Sequence, residues 1–171
     1  MSLLKKEAIG GVEKMVNVHW TNKALLQRDH ELALSFVRDQ GIKICFDPAE
    51  RELAKRTFAP ITNTFLPDLL CSALSLIYLF DQAAQPPAVK MCDGYSSVSE
   101  SESGRRQVAS IGISLQALHA GESYVVMVFL HELCHVLHGF PDHGSKFHRH
   151  LDALITRYNT ATGSCLKNDY I

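Results

Sequence analysis

The chain lacks the marks of several function classes. Its five cysteines, Cys45, Cys71, Cys92, Cys134 and Cys165, are odd in number, widely spaced and form no C-x-x-C pair. That argues against a disulfide framework and a zinc ribbon, and makes a reducing cytoplasm the expected compartment. No basic run is present: Lys5-Lys6 and Arg105-Arg106 are isolated pairs, and the formal net charge is −1. Electrostatic capture of nucleic acid or of an anionic membrane is therefore not expected. No long hydrophobic run exists either. The most apolar stretch, 69–80, contains Ser72 and Ser75, is too short to span a bilayer and reads as a buried helix. The first residues show no basic-then-apolar signal pattern. What remains is an ordinary globular composition, 46% hydrophobic and 20% charged over 171 residues. Such a chain is expected to form one domain with a substantial core.

Against this background one pentapeptide stands out. Residues 131–135 read H-E-L-C-H, at the end of the apolar run 124–130. Four residues turn an α-helix by about 400°, so His131 and His135 fall within about 40° of each other and about 6 Å apart along the axis. Both imidazoles can reach one metal ion, and Glu132 can take a proton from a metal-bound water. With 9 histidines and as many glutamates in the chain, a chance match has a probability of about 0.02, so the surrounding residues have to decide.

The organisation reads as helices, then a small antiparallel sheet, then the motif helix and one more helix. The first twenty residues carry no periodic pattern. A helix with Leu25, Leu26, Leu32, Leu34 and Phe36 begins near Asn22, with Gly41 as its C-cap. A short strand is expected at 42–46, and Asp47-Pro48 opens a second helix. Pro60 and Pro67 are expected to break the next stretch, followed by a long helix over 68–82. Residues 89–92 and 95–98 read as strands around Asp93-Gly94, and 107–115 as a further strand. Residues 119–123 form a polar spacer, and the strand before the motif helix is a candidate edge for an extended peptide. The division expected is 1–87 helical, 88–160 sheet plus metal-binding helices, and 161–171 tail.

A catalytic zinc usually keeps three protein ligands and an open position. His138 lies about 7–8 Å along the axis from the midpoint of His131 and His135, too far to join them. His143 sits in the turn-rich segment 139–144, which can fold back over the metal. Asp142 and Asp152 are the carboxylate alternatives. Phe147, Leu151, Leu154, Ile155 and Tyr158 form the apolar face of a following helix that would pin this loop. His148 and His150 read as solvated. Cys134 points about 100° away from His135 and reads as a buried thiol, and Cys92 as a strand residue.

Residues 110–115, 125–135 and 142–147 together resemble the SprT-like zinc metallopeptidases and the related WLM type. The segment D-H-G-S-K-F at 142–147 is similar to a G-H-G-x-x-F element carrying the third histidine. The likeness covers about 107–158. It implies a minimal zincin-like α+β domain, with His131, His135 and His143 holding one Zn2+ and Glu132 as general base. Asp142 stands where the SprT-like pattern has glycine, and no C-terminal zinc ribbon follows.

The expected function is hydrolysis of a protein or peptide substrate, with Tyr158 or His138 as candidate helpers of the oxyanion. Two rivals stand beside it. One is a zinc-stabilised binding or regulatory module without activity. The other is an ImmA/IrrE-like peptidase acting on a repressor, which would place an acid such as Asp142 or Asp152 on the metal.

Overall fold

The computed structural model describes residues 23–87, 89–100, 103–104 and 107–169. Its α-helices and strands, in chain order, are α1 (Lys23–Asp39), β1 (Ile44–Cys45), α2 (Pro48–Thr64), α3 (Leu66–Leu70), β2 (Leu74–Phe80), β3 (Gly94–Glu100), β4 (Gln107–Ser114), α4 (Leu115–Ala120), α5 (Glu122–His138) and α6 (Ser145–Thr162). The expectation for the first twenty residues lies outside the described residues.

The sheet order is β1-β2-β4-β3. β1 runs antiparallel to β2, β2 parallel to β4, and β4 antiparallel to β3. The fold is α+β as expected, but the sheet is mixed rather than antiparallel. All of β2 is buried, as is β4 after its first residue. α1 covers β2 and β4, while α5 lies on β3 and β4 and is backed by α2, α4 and α6.

The helix expected over 68–82 is replaced by the short α3 and the strand β2. A strand covered on both faces reads as a continuous apolar run, which periodicity cannot tell from a buried helix. The strand expected at 89–92 is a turn. The amides of Val89 and Lys90 both donate to the Pro86 carbonyl at 3.0 Å, and Cys92 N–H donates to Val89 O at 3.1 Å. With those groups bonded locally, no ladder forms, and β3 instead forms a hairpin with β4. Pro60 does not break α2, which runs on to Thr64. Pro67 occupies the first turn of α3, where a missing N–H leaves no bond unmade. The spacer expected at 119–123 is the end of α4, the single residue Gly121 and the start of α5.

Other local signals hold. Asp47 Oδ1 accepts from the amides of Ala49 (2.9 Å) and Glu50 (3.1 Å), capping α2 with Pro48 in its first turn. Gly41 closes α1 at φ 77°, its N–H donating to Arg38 O at 2.9 Å. Among the described residues no helix is long and apolar enough to cross a membrane.

Gly112 on β4 is set by packing. A Cβ there would lie 2.5 Å from Cζ of the fully buried Tyr78. The fully buried ring would have to shift within the core, so G112A is expected to destabilise the fold by about 1–3 kcal/mol, the usual range for overpacking. Urea denaturation should show the midpoint falling; an unchanged midpoint would contradict this packing.

Candidate metal centre

α5 begins with Glu122 in its first turn and ends at Gly139, which adopts the left-handed conformation (φ 66°, ψ 23°) and donates its N–H to His135 O at 2.8 Å. Between them, residues 125–130 and 132–134 are buried. The helix is apolar nearly all round because it is sandwiched between sheet and helices. His131 and His135 are thus carried on a rigid, well-packed element.

The left-handed turn at Gly139 sends the chain back across the end of α5. The Asp142 carboxylate accepts from Gly144 N–H at 3.3 Å and tightens the loop before α6 starts. This brings His143 onto the helix pair. Its Nε2 lies 3.0 Å from Nε2 of His131 and 3.0 Å from Nε2 of His135. Phe147, on the first turns of α6 and fully buried, supports all three rings, with centroid distances of 4.9, 4.5 and 4.9 Å to His131, His135 and His143.

His135 Nδ1–H donates to Phe140 O at 2.6 Å. Its Nε2 then carries a lone pair, directed at the centre of the cluster. Tetrahedral zinc, with Zn–N of about 2.0–2.1 Å, spaces its nitrogens about 3.3–3.4 Å apart. The donor set and the spacing fit that ion. Burial, then the neighbouring His135 and His143, push His131 down to about 4, so it stays neutral and ready to ligate.

Glu132 is buried beside the cluster, 9% exposed. Burial raises its pKa, opposed by the hydroxyl and amide of Ser96 on β3. β3 passes so close that a Cβ on Gly94 would lie 2.7 Å from Glu132 Cγ and 2.8 Å from Val128 Cγ1. The cleft has a volume of about 610 Å³, lined by residues 94–98 of β3 and the three histidines. The edge facing it is therefore β3. The strand immediately before the motif helices, β4, is central, because it pairs on both sides.

Among the described residues, only His131, His135 and His143 form a group of three potential ligands within 4.8 Å. Asp142, which accepts from Gly144 N–H, and Asp152, which accepts from Asn168 at 2.8 Å, both lie outside this group. His138 stacks on His150, centroids 4.1 Å apart, outside the group. Tyr158 is buried and senses Glu122, at the far end of α5, so it does not line the cleft as an oxyanion helper would. Cys134 is fully buried and its thiol is pushed up to about 12, consistent with a packing role. Cys92, expected in a strand, lies in the turn before β3 and faces a side cavity of the centre. Gly94, Ser96 and the Phe140 carbonyl carry no motif signal. Asp-Gly reads as a turn, and backbone acceptors are invisible in sequence.

Residues 119–170 match the family model of the WLM domain. The resemblance read from the motif residues is thus to the matching family. The WLM segment contains the end of α4, all of α5 and α6, and every member of the histidine cluster. Neither curated proteins nor solved structures gave a match to the chain.

Holding His131 neutral makes the metal-free protein sensitive to acid. Between its ordinary 6.5 and about 4, the unfolded chain binds a proton at His131 that the native state refuses. Native stability therefore falls as pH drops through that window. Glu132, raised by burial, acts in the opposite direction. The His131 contribution is isolated by comparing wild type with H131N: the urea midpoint of apo wild type should lose more between pH 7 and 5 than that of the variant. Equal losses would show that His131 is not held neutral.

Proposed function

We propose that this chain is a zinc-dependent peptidase, with one Zn2+ held by His131, His135 and His143 and Glu132 as general base. The observation that carries the reading is the convergence of three imidazoles, His143 Nε2 lying 3.0 Å from Nε2 of both His131 and His135, with a buried carboxylate beside them. We read the unit as a single zincin-like domain. The WLM match supports metallopeptidase-like chemistry for the segment that holds these residues.

A bound zinc ion supplies Lewis-acid polarisation of the scissile carbonyl and lowers the pKa of a coordinated water to about 7. The protein's own parts do the rest. The His135–Phe140 hydrogen bond keeps the ligating nitrogen unprotonated. Ser96 orients the Glu132 carboxylate, which accepts a proton from water and delivers it to the leaving amine. β3 pairs only with β4 among the described residues, so its outer edge offers backbone groups to an extended peptide lying in the cleft. The partner is accordingly a protein or peptide substrate.

Metal analysis should find one zinc per chain, and a chelator should remove metal and activity together. E132Q should retain zinc while peptide cleavage drops at least about a hundredfold, the scale of general-base catalysis. If E132Q cleaves like wild type, the mechanism is wrong. If wild type binds zinc but cleaves no peptide in a diverse library, the metal is structural and the chain is a binding module. G94A should also keep zinc yet slow cleavage, because the added Cβ displaces the Glu132 side chain. Unaltered cleavage by G94A would show that the close approach does not position the base.

A further inference from the structure

A second cavity, of about 310 Å³, opens from the metal centre toward the N-terminal half of α5. It shares Gly94, His131, Glu132 and His143 with the main cleft. Its outer walls are Tyr124 and Val128, which lie seven and three residues before His131 on the same helix face, and Cys92 with Asp93. The cavity is therefore placed to receive the side chain of a substrate residue next to the scissile bond.

Asp93 is the feature without an assigned role. It is half-buried and rigidly held. Its Oδ1 accepts from Gln82 Nε2 at 2.9 Å and from Ser114 Oγ at 3.3 Å, and its Oδ2 accepts from the Tyr124 hydroxyl. The backbone is fixed as well: Gln82 Nε2 also donates to Cys92 O at 2.8 Å, and Ser114 N–H donates to Asp93 O at 2.9 Å. Every one of these donors is neutral. Among the described residues no Lys, Arg or His pairs with the carboxylate. A carboxylate has about four lone-pair sites, so three accepted bonds leave room for another donor.

We propose that this cavity is a specificity pocket for a cationic side chain, lysine or arginine, adjacent to the scissile bond, with Asp93 as its specificity-determining counter-charge. The methylene stem packs on Val128 and the Tyr124 ring, and the charged head reaches the carboxylate. The inference rests on the peptidase reading for the meaning of the site but can be tested apart from it.

The decisive comparison uses matched peptides that differ only in arginine against citrulline, which keeps the shape and removes the charge. Zinc-loaded E132Q should bind the arginine peptide about tenfold more tightly, and E132Q/D93N should bring that ratio close to one. Wild-type cleavage of a peptide library should show Lys or Arg enriched at one position beside the cut, and D93N should erase the enrichment. A purely structural Asp93 would weaken both peptides together and leave the ratio alone, which overturns the proposal. An arginine/citrulline ratio near one in E132Q also overturns it. A tenfold ratio that depends on Asp93, in a protein whose wild type cleaves nothing, supports the pocket and removes the peptidase reading. Zinc content and thermal midpoint of each variant identify any that fail to fold, and Y124F, which removes one neutral donor but keeps the carboxylate, should retain the preference.

Discussion

Three imidazole nitrogens turned on one another, with His143 Nε2 only 3.0 Å from Nε2 of both His131 and His135, are the constraint on which the rest of this structure depends. Neutral imidazoles cannot all donate to one another, and lone pairs facing inward repel unless a cation lies between them. Such an arrangement persists only if the surrounding protein is stiff. α5 supplies that stiffness through its buried residues, which lock two of the rings. The third ring comes from a loop, and loops move. It is restrained here by the left-handed turn at Gly139, by Asp142 bonding Gly144, and by Phe147 wedged beneath all three rings. α6, through its apolar face, anchors that wedge to the core.

The same helix faces a second requirement from the sheet. Glu132 follows His131 directly and so points toward β3 rather than toward the cluster axis. Burial alone would leave it poorly solvated. β3 answers with the Ser96 hydroxyl and amide, and Gly94 lets the strand come close enough to use them. One strand therefore orients the carboxylate, forms a wall of the cleft and, among the described residues, leaves its outer edge unpaired. Building the site on a helix and a strand keeps its geometry tighter than two loops could.

Legibility in the sequence followed the range of each interaction. His131, Glu132 and His135 were readable because a single helix turn relates them. His143 is readable because turn residues frame it, but the sequence leaves Asp142 and Asp152 as alternatives, and only the fold places both outside the histidine group. β2 is not legible as a strand because strands covered on both faces lose their alternation, and its parallel pairing with β4 is hidden with it. Residues 89–92 look like a strand but form a turn, because their β-forming side chains are overruled by amides bonding back to Pro86 and Val89. Gly94 and Ser96 were missed as site residues because their importance lies in what crosses above them.

The amino-acid sequence by itself determined the motif helix, its caps, the turn after it and the family it resembles, because these arise from contacts between residues a few positions apart. Only the tertiary structure decided the strand order, the third member of the histidine cluster, the carbonyl that sets the tautomer of His135 and the strand that meets Glu132. Those depend on which surfaces the collapsed chain brings together, and periodicity and propensity, being local, carry no information about that.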